Sequence, residues 1–267
     1  MKKNIYIYVI CATGLLLSSS CGKKKEYESN DILLAKAVKS AAEDCDWEAA
    51  KALAYKAREQ NPNDPAARIM FALALEQCSD LDRAVEEITT AASLAPSDFM
   101  AQYTKGRILF KAEMYQDCPA PLETAREIRP GNPQVLLLLA ETYAMLKNYK
   151  ESIKNYVALA KTDIYKNKPE PYNEIGVLFF KKKNYKMSLE FFNRAYAKSS
   201  DSPAVNLNLG VFWDTVSVLY KKEAASSGKA AGNALKYYTK YIKLTEGLSR
   251  DANRKKVSAR IEQLKKH

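Results

Sequence analysis

Apolar residues recur at intervals of three and four through most of the chain, as in Trp47, Ala50, Ala54 and Ala57, or Tyr185, Ser188, Phe192 and Ala195. That spacing places them on one face of an α-helix. Prolines punctuate the pattern: Pro62, Pro96 and Pro130 follow one another at 34 residues, and each closes a stretch of helix-forming residues. A proline ends one helix and is tolerated in the first turn of the next. Aligned on these prolines, the segments begin at Asp31, Pro65, Phe99, Pro133, Pro169 and Pro203, the fifth arriving two residues late.

The alignment carries further regularities. The eighth position is small in nearly every segment (Ala72, Gly106, Ala140, Gly176, Gly210), as are the twentieth (Ala50, Ala84, Cys118, Ser152, Ser188) and the twenty-seventh (Ala57, Ala91, Ala125, Ala195). The eleventh (Leu75, Leu109, Tyr143, Phe179, Trp213), seventeenth (Trp47, Leu81, Tyr115, Tyr149, Tyr185) and twenty-fourth (Ile88, Leu122, Tyr156, Phe192, Tyr238) are large. Paired helices that cross closely need short side chains at the crossing and bulky ones beside it.

Six helix pairs in near-constant phase over residues 31–248 resemble the tetratricopeptide repeat (TPR) family. The resemblance implies an all-α fold: a right-handed α-solenoid of about six antiparallel hairpins whose first helices line a concave groove. Residues 249–267, with Val257, Ile261 and Leu264 at helical spacing among charges, read as the polar-faced capping helix that such arrays need.

Three irregularities stand out. Pro119 and Pro121 fall where the second helix of the third segment belongs; they fit a late start capped by Asp117, because first-turn amides lack intrahelical partners. Tyr165–Pro171 forms a longer loop. In the sixth segment, Trp213–Lys222 is expected to continue the first helix and Ala225–Gly232 to turn; the Gly228-Lys229 pair lacks the upstream glycine of a phosphate-binding loop.

Lys2 and Lys3, an apolar run from Ile5 to Leu17 and then Ser18, Ser19 and Ser20 form the tripartite pattern of an export signal over residues 1–20, too short for a comfortable membrane span. Cys21, after three small residues, resembles the acylated cysteine of bacterial lipoproteins, although the leucine usual three positions earlier is Ser18. The resemblance implies lipidation at Cys21, with residues 21–30 as a tether, and a location in the bacterial cell envelope, lipid-anchored, with the outer membrane as the expected membrane.

The net charge of +11 is unevenly spread: residues 21–220 carry 27 basic and 27 acidic side chains, whereas residues 221–267 carry 13 basic and 4 acidic. A neutral body argues against nucleic acid as a partner. The only histidine is His267, so no Ser/His/Asp triad and no histidine-based metal cluster can be assembled from this sequence. No catalytic role, no metal and no cofactor is expected. The acidic run Glu43, Asp44, Asp46 and Glu48 has Ala49 where a calcium loop needs glycine and reads as helix capping by Asp46. Cys45 and Cys78 sit on one edge of neighbouring segments and can bridge only if their Cα atoms approach within about 7 Å; Cys118 reads as a packed thiol.

What remains is binding. The family resemblance places the second, fifth, ninth, twelfth and thirteenth positions on the concave face. The carboxylate clamp of chaperone-binding members does not carry over, since Asn173 is followed by Val177 at the ninth position. Tyr103, Arg107, Phe110 and Lys111, with Asn173 and Lys181, are the candidate partner-binding residues, because aromatics and arginine dominate interface hot spots; packing of Tyr103 and Phe110 against neighbouring helices is the competing account. The expected function is a membrane-anchored scaffold or adaptor that holds a protein or peptide partner in its groove within an envelope complex. The alternative is a spacer whose basic C-terminal end binds an anionic membrane or cell-wall surface.

Overall fold

The computed structural model describes residues 29–247 and 252–266. The expected leader, Cys21 and nearly all of the tether lie outside the described residues. Among the described residues the regular structure is entirely helical, and the chain forms two compact units, one closing at Ile128 and the other opening at Arg129.

The first unit holds three hairpins: α1 (Asn30–Ala42) with α2 (Trp47–Gln60), α3 (Pro65–Gln77) with α4 (Leu81–Leu94), and α5 (Phe99–Lys111) with α6 (Pro119–Ile128). The second holds α7 (Pro133–Met145) with α8 (Tyr149–Leu159), α9 (Glu170–Lys181) with α10 (Tyr185–Lys198), α11 (Pro203–Leu219) with α12 (Ala224–Leu244), and finally α13 (Ala252–Leu264) against α12. Each second helix also packs on the next first helix within its unit. First helices touch their counterparts one hairpin on, α1 to α3, α3 to α5 and α9 to α11. Among the described residues no two second helices pack comparably, so α1, α3 and α5 form a crowded row in the first unit and α9 and α11 pack likewise in the second.

The eighth and twenty-fourth positions meet at the hairpin crossing. A Cβ added to Gly106 would lie 2.4 Å from Leu122 Cδ2, one on Gly176 2.5 Å from Phe192 Cδ1, and one on Gly210 2.4 Å from Tyr238 Cδ1. The missing methyl is what lets each ring or isobutyl group sit on the opposing backbone. Serine at the twentieth position does more than fit: Ser152 Oγ donates to the Ala140 carbonyl at 2.7 Å and Ser188 Oγ to the Gly176 carbonyl at 2.9 Å. Each hydroxyl thereby ties the second helix to the eighth residue of the first.

The turn inside a hairpin is built alike five times. Cys45, Ser79, Glu113, Lys147 and Lys183 have φ between 54° and 66°, the left-handed conformation that reverses the chain after a helix. The next amide reaches back to a carbonyl in the last turn of the first helix, as in Asn148 N to Tyr143 O at 2.8 Å. Asp46, Asp80, Asn148 and Asn184 then cap the second helix, Asp46 Oδ1 accepting from Ala49 N at 2.9 Å. Between hairpins, the fourth residue of the new helix satisfies the preceding loop: Arg68 donates to Pro62 O, Gln102 to Pro96 O and Asn206 to Ser200 O, at 2.6–2.9 Å.

Two local expectations are corrected. α6 opens at Pro119, so Cys118 rather than Asp117 is the capping residue: Leu122 N donates to Cys118 O, while the Asp117 amide is spent on Met114 O in the turn. Both prolines fall in the first turn, where no amide is missed. Ala225–Gly232 is helix within α12, not turn; the reversal occurs at Tyr220–Glu223. Three alanines in that stretch favour helix, and Ser227 Oγ secures it by donating to Ser217 O at 3.0 Å. Cys45, Cys78 and Cys118 are free thiols rather than bridged.

Candidate functional site

Of the residues expected to bind a partner, four share α5 in the first unit. Tyr103 stacks on Phe99 at 5.7 Å between ring centroids, and Phe110 meets Tyr115 edge-on at 5.3 Å. Arg107 and Lys111 are turned onto Glu76 of α3: Arg107 Nη1 donates to Glu76 Oε1 at 2.7 Å, Nη2 lies 2.6 Å from Oε2, and Lys111 Nζ donates to the Glu76 carbonyl at 3.1 Å. Glu76 is only 2% exposed. A carboxylate buried that deeply needs paired cations, and Arg107 and Lys111 are those cations. The two aromatics pack against neighbours in the same unit and the two bases stabilise its interior.

Asn173 and Lys181 lie on α9 of the second unit, and here the row of first helices offers more. Asn173 is buried; its Nδ2 donates to Glu174 Oε1 at 3.2 Å and its Oδ1 accepts from Asn208 Nδ2 of α11 at 3.0 Å. Glu174 faces Glu141 of α7. Burial pushes the Glu141 carboxyl above the usual carboxylate range, and the charge of Glu174 pushes it further. Burial raises Glu174 likewise, opposed by the Asn173 amide and by the positive charge of Lys181. The Tyr156 phenol, held well above its ordinary range by burial and then by both carboxylates, borders the pair. Among the described residues these two half-buried acids have no ion-pair partner in contact.

The polar ladder continues from Asn173 to Asn208, and Asn208 lines a cavity of about 320 Å³ between α11 and α13. Leu207, Val211 and Val257 give it apolar walls, and Lys256 stands at its edge. Its far side is fixed by Arg260, which grips Asp214 with Nη2 to Oδ1 at 2.7 Å and Nε to Oδ2 at 2.9 Å. Burial, and then the charge of Asp214 beside it, pushes the Tyr238 phenol above its ordinary range. This ion pair ties α13 to α11 beside the cavity.

Glu174, Asn208 and Lys256 are absent from the sequence-based candidates. The repeat phase could have indicated the first two, since both occupy the sixth position of consecutive hairpins; Lys256 depends on how α13 docks, which no period encodes.

Within each unit the hairpins with small residues at their crossings have the all-α fold of TPR proteins. No protein-family model matches the chain, and no curated protein matches it. Among solved structures it is similar to YrrB, described as a TPR protein with an unusual peptide-binding site (20% identity, 79% of this chain and 97% of that one, TM-score 0.57). It is also similar to PilF of Pseudomonas aeruginosa (15% identity, 86% and 97%, TM-score 0.62) and to MamA of Desulfovibrio magneticus RS-1 (20% identity, 66% and 98%, TM-score 0.59). At these identities the likeness is one of fold.

Proposed function

We propose that this chain is a non-catalytic, membrane-anchored scaffold of the bacterial envelope that holds a segment of a protein partner against the first-helix face of its second unit. The observation that carries the reading is the continuous ladder from the Glu141–Glu174 pair through Asn173 and Asn208 to the α11–α13 cavity. Such a face suits a short peptide with a basic side chain at one end, an apolar side chain for the cavity and a carboxylate near Lys256. Apolar pockets with a few placed polar groups are what recognition sites consist of. The described peptide-binding role of YrrB, a structure of the same fold, supports the reading. Anchoring rests on the Ser18–Cys21 pattern alone.

A photoreactive benzoylphenylalanine at Val211 of the full-length protein, activated in cells of the native host, is expected to yield one discrete protein crosslink. The same residue at Lys236 on α12 should not. Equal crosslinking from both positions, or none from Val211, would overturn the proposal. Loss of labelled fatty acid on Cys21→Ser tests the anchor separately.

A further inference from the structure

The last hairpin is longer than the rest. α11 has 17 residues where the other first helices have 12 or 13, and α12 has 21 where the other second helices have 10 to 14. The excess sits at the α11–α12 reversal, where Ser217 and Ala230 are still buried and the Ser227–Ser217 hydrogen bond braces the two helices. Beyond that brace stand Val218, Leu219 and Tyr220, consecutive and 60%, 55% and 48% exposed. Lys221 and Lys222 follow directly and Lys229 lies in the second turn of α12, all exposed, with Glu223 the one acid between Val218 and Lys229. Nothing in the hairpin needs these three apolar side chains outside.

We infer that this tip is a membrane-contact device that inserts Val218, Leu219 and Tyr220 at the headgroup boundary of an anionic bilayer while the neighbouring lysines engage lipid phosphates. A convex apolar tip ringed by cations matches an interface whose outer layer is negative and whose next layer is apolar. Tyrosine, apolar in body and polar at its end, suits that depth. A second copy of the chain is a poorer occupant: a two-fold contact through the tip would set each copy's lysines against the other's. Three side chains also cover far less than the roughly 800 Å² per partner of a stable protein interface. The inference stands independently of the partner-binding face and of Cys21.

The test reads the tip directly, so anchoring elsewhere does not confound it. A coumarin amino acid replaces Tyr220 in the full chain, and its quenching by brominated lipid is followed on vesicles of phosphatidylcholine with 30% phosphatidylglycerol and on phosphatidylcholine alone. Quenching is expected on the anionic vesicles only, with apparent affinity at the tip reduced at least tenfold by K221E/K222E and quenching abolished by V218S/L219S. These substitutions fall at exposed positions, and an unchanged thermal melt shows that the fold is kept. Absence of quenching on anionic vesicles, or equal quenching on neutral ones, overturns the inference. So does a fluorescence shift produced as strongly by soluble polyglutamate, which would make the occupant an acidic protein.

Discussion

The five left-handed turn residues are each a compromise, because none is glycine. A side chain in that region costs about 1–2 kcal/mol, of which glycine recovers part after its larger unfolded-state entropy is subtracted. Lys147→Gly and Lys183→Gly are therefore expected to stabilise the fold by up to about 1 kcal/mol each, near-additively since the sites are distant. A thermal melt followed by circular dichroism should rise by about 2–4 °C per kcal/mol; a fall would mean that the lysines contribute contacts of their own. Glu76 is the opposite case, a residue whose surroundings cannot be changed cheaply. Arg107→Ala leaves it buried with Lys111 alone and should cost about 2 kcal/mol, below the range for a fully enclosed pair because Arg107 is partly exposed. Adding Glu76→Gln should return part of that loss, and a urea titration of the two variants beside the unaltered chain decides it. Neither feature was plain in the sequence. Left-handed turns usually announce themselves through glycine, and here Cys45, Ser79, Glu113, Lys147 and Lys183 share no chemistry. Arg107 and Lys111 looked like a binding patch because their buried acid lies 31 and 35 residues upstream, about one period away, where only the stacked hairpins bring it near.

At the scale of the element, the same substitution should have opposite signs at different glycines of one protein. Gly228 and Gly232 lie inside α12 with nothing within 4 Å of an added Cβ, whereas at Gly106, Gly176 and Gly210 that atom would meet Leu122, Phe192 or Tyr238 at 2.4–2.5 Å. Gly232→Ala is expected to stabilise by roughly 1 kcal/mol through helix propensity. Gly176→Ala should destabilise by about 1–3 kcal/mol, overpacking outweighing the same propensity gain, and Phe192→Leu in the same chain should relieve part of it. Chemical denaturation of the three variants tests the contrast, and a stabilised Gly176→Ala would refute the account of the crossing. This explains why the hairpins were legible from sequence: the small eighth and large twenty-fourth residues are one contact recorded twice per period. The last hairpin was read less well. Its alanines, serines and glycines between Ala224 and Gly232 carry both turn-like and helical signals, and contact with α11, expressed in the Ser227–Ser217 bond, settles the choice for helix.

At the scale of the molecule, charge is sorted along the chain: residues 31–130 carry 12 basic and 17 acidic side chains, and residues 221–267 carry 13 and 4. The proposed partner face lies in the second unit and joins both signs, with Glu141 and Glu174 at one end of the ladder and Lys256 at the other. The acids carry a pH signature whose direction follows from burial. Their folded-state proton affinity is raised above the ordinary carboxyl value of 4.5, so the folded chain holds these protons more tightly than the unfolded one. Their stabilising contribution is complete below that value and is lost as pH rises through the elevated folded pKa. Ionisation of the pair, bordered by Tyr156 and Tyr165 with Lys181 as the countercharge, opposes folding. Glu141→Gln and Glu174→Gln should therefore raise the melting temperature at pH 7.5, and the gain should shrink as pH falls and the native carboxyls take up protons. Variants that lower the melting temperature at pH 7.5 would show the pair to be compensated within the chain. A pair that costs stability while empty and is relieved by a cation is better suited to receiving a partner's lysine or arginine than to holding hairpins together.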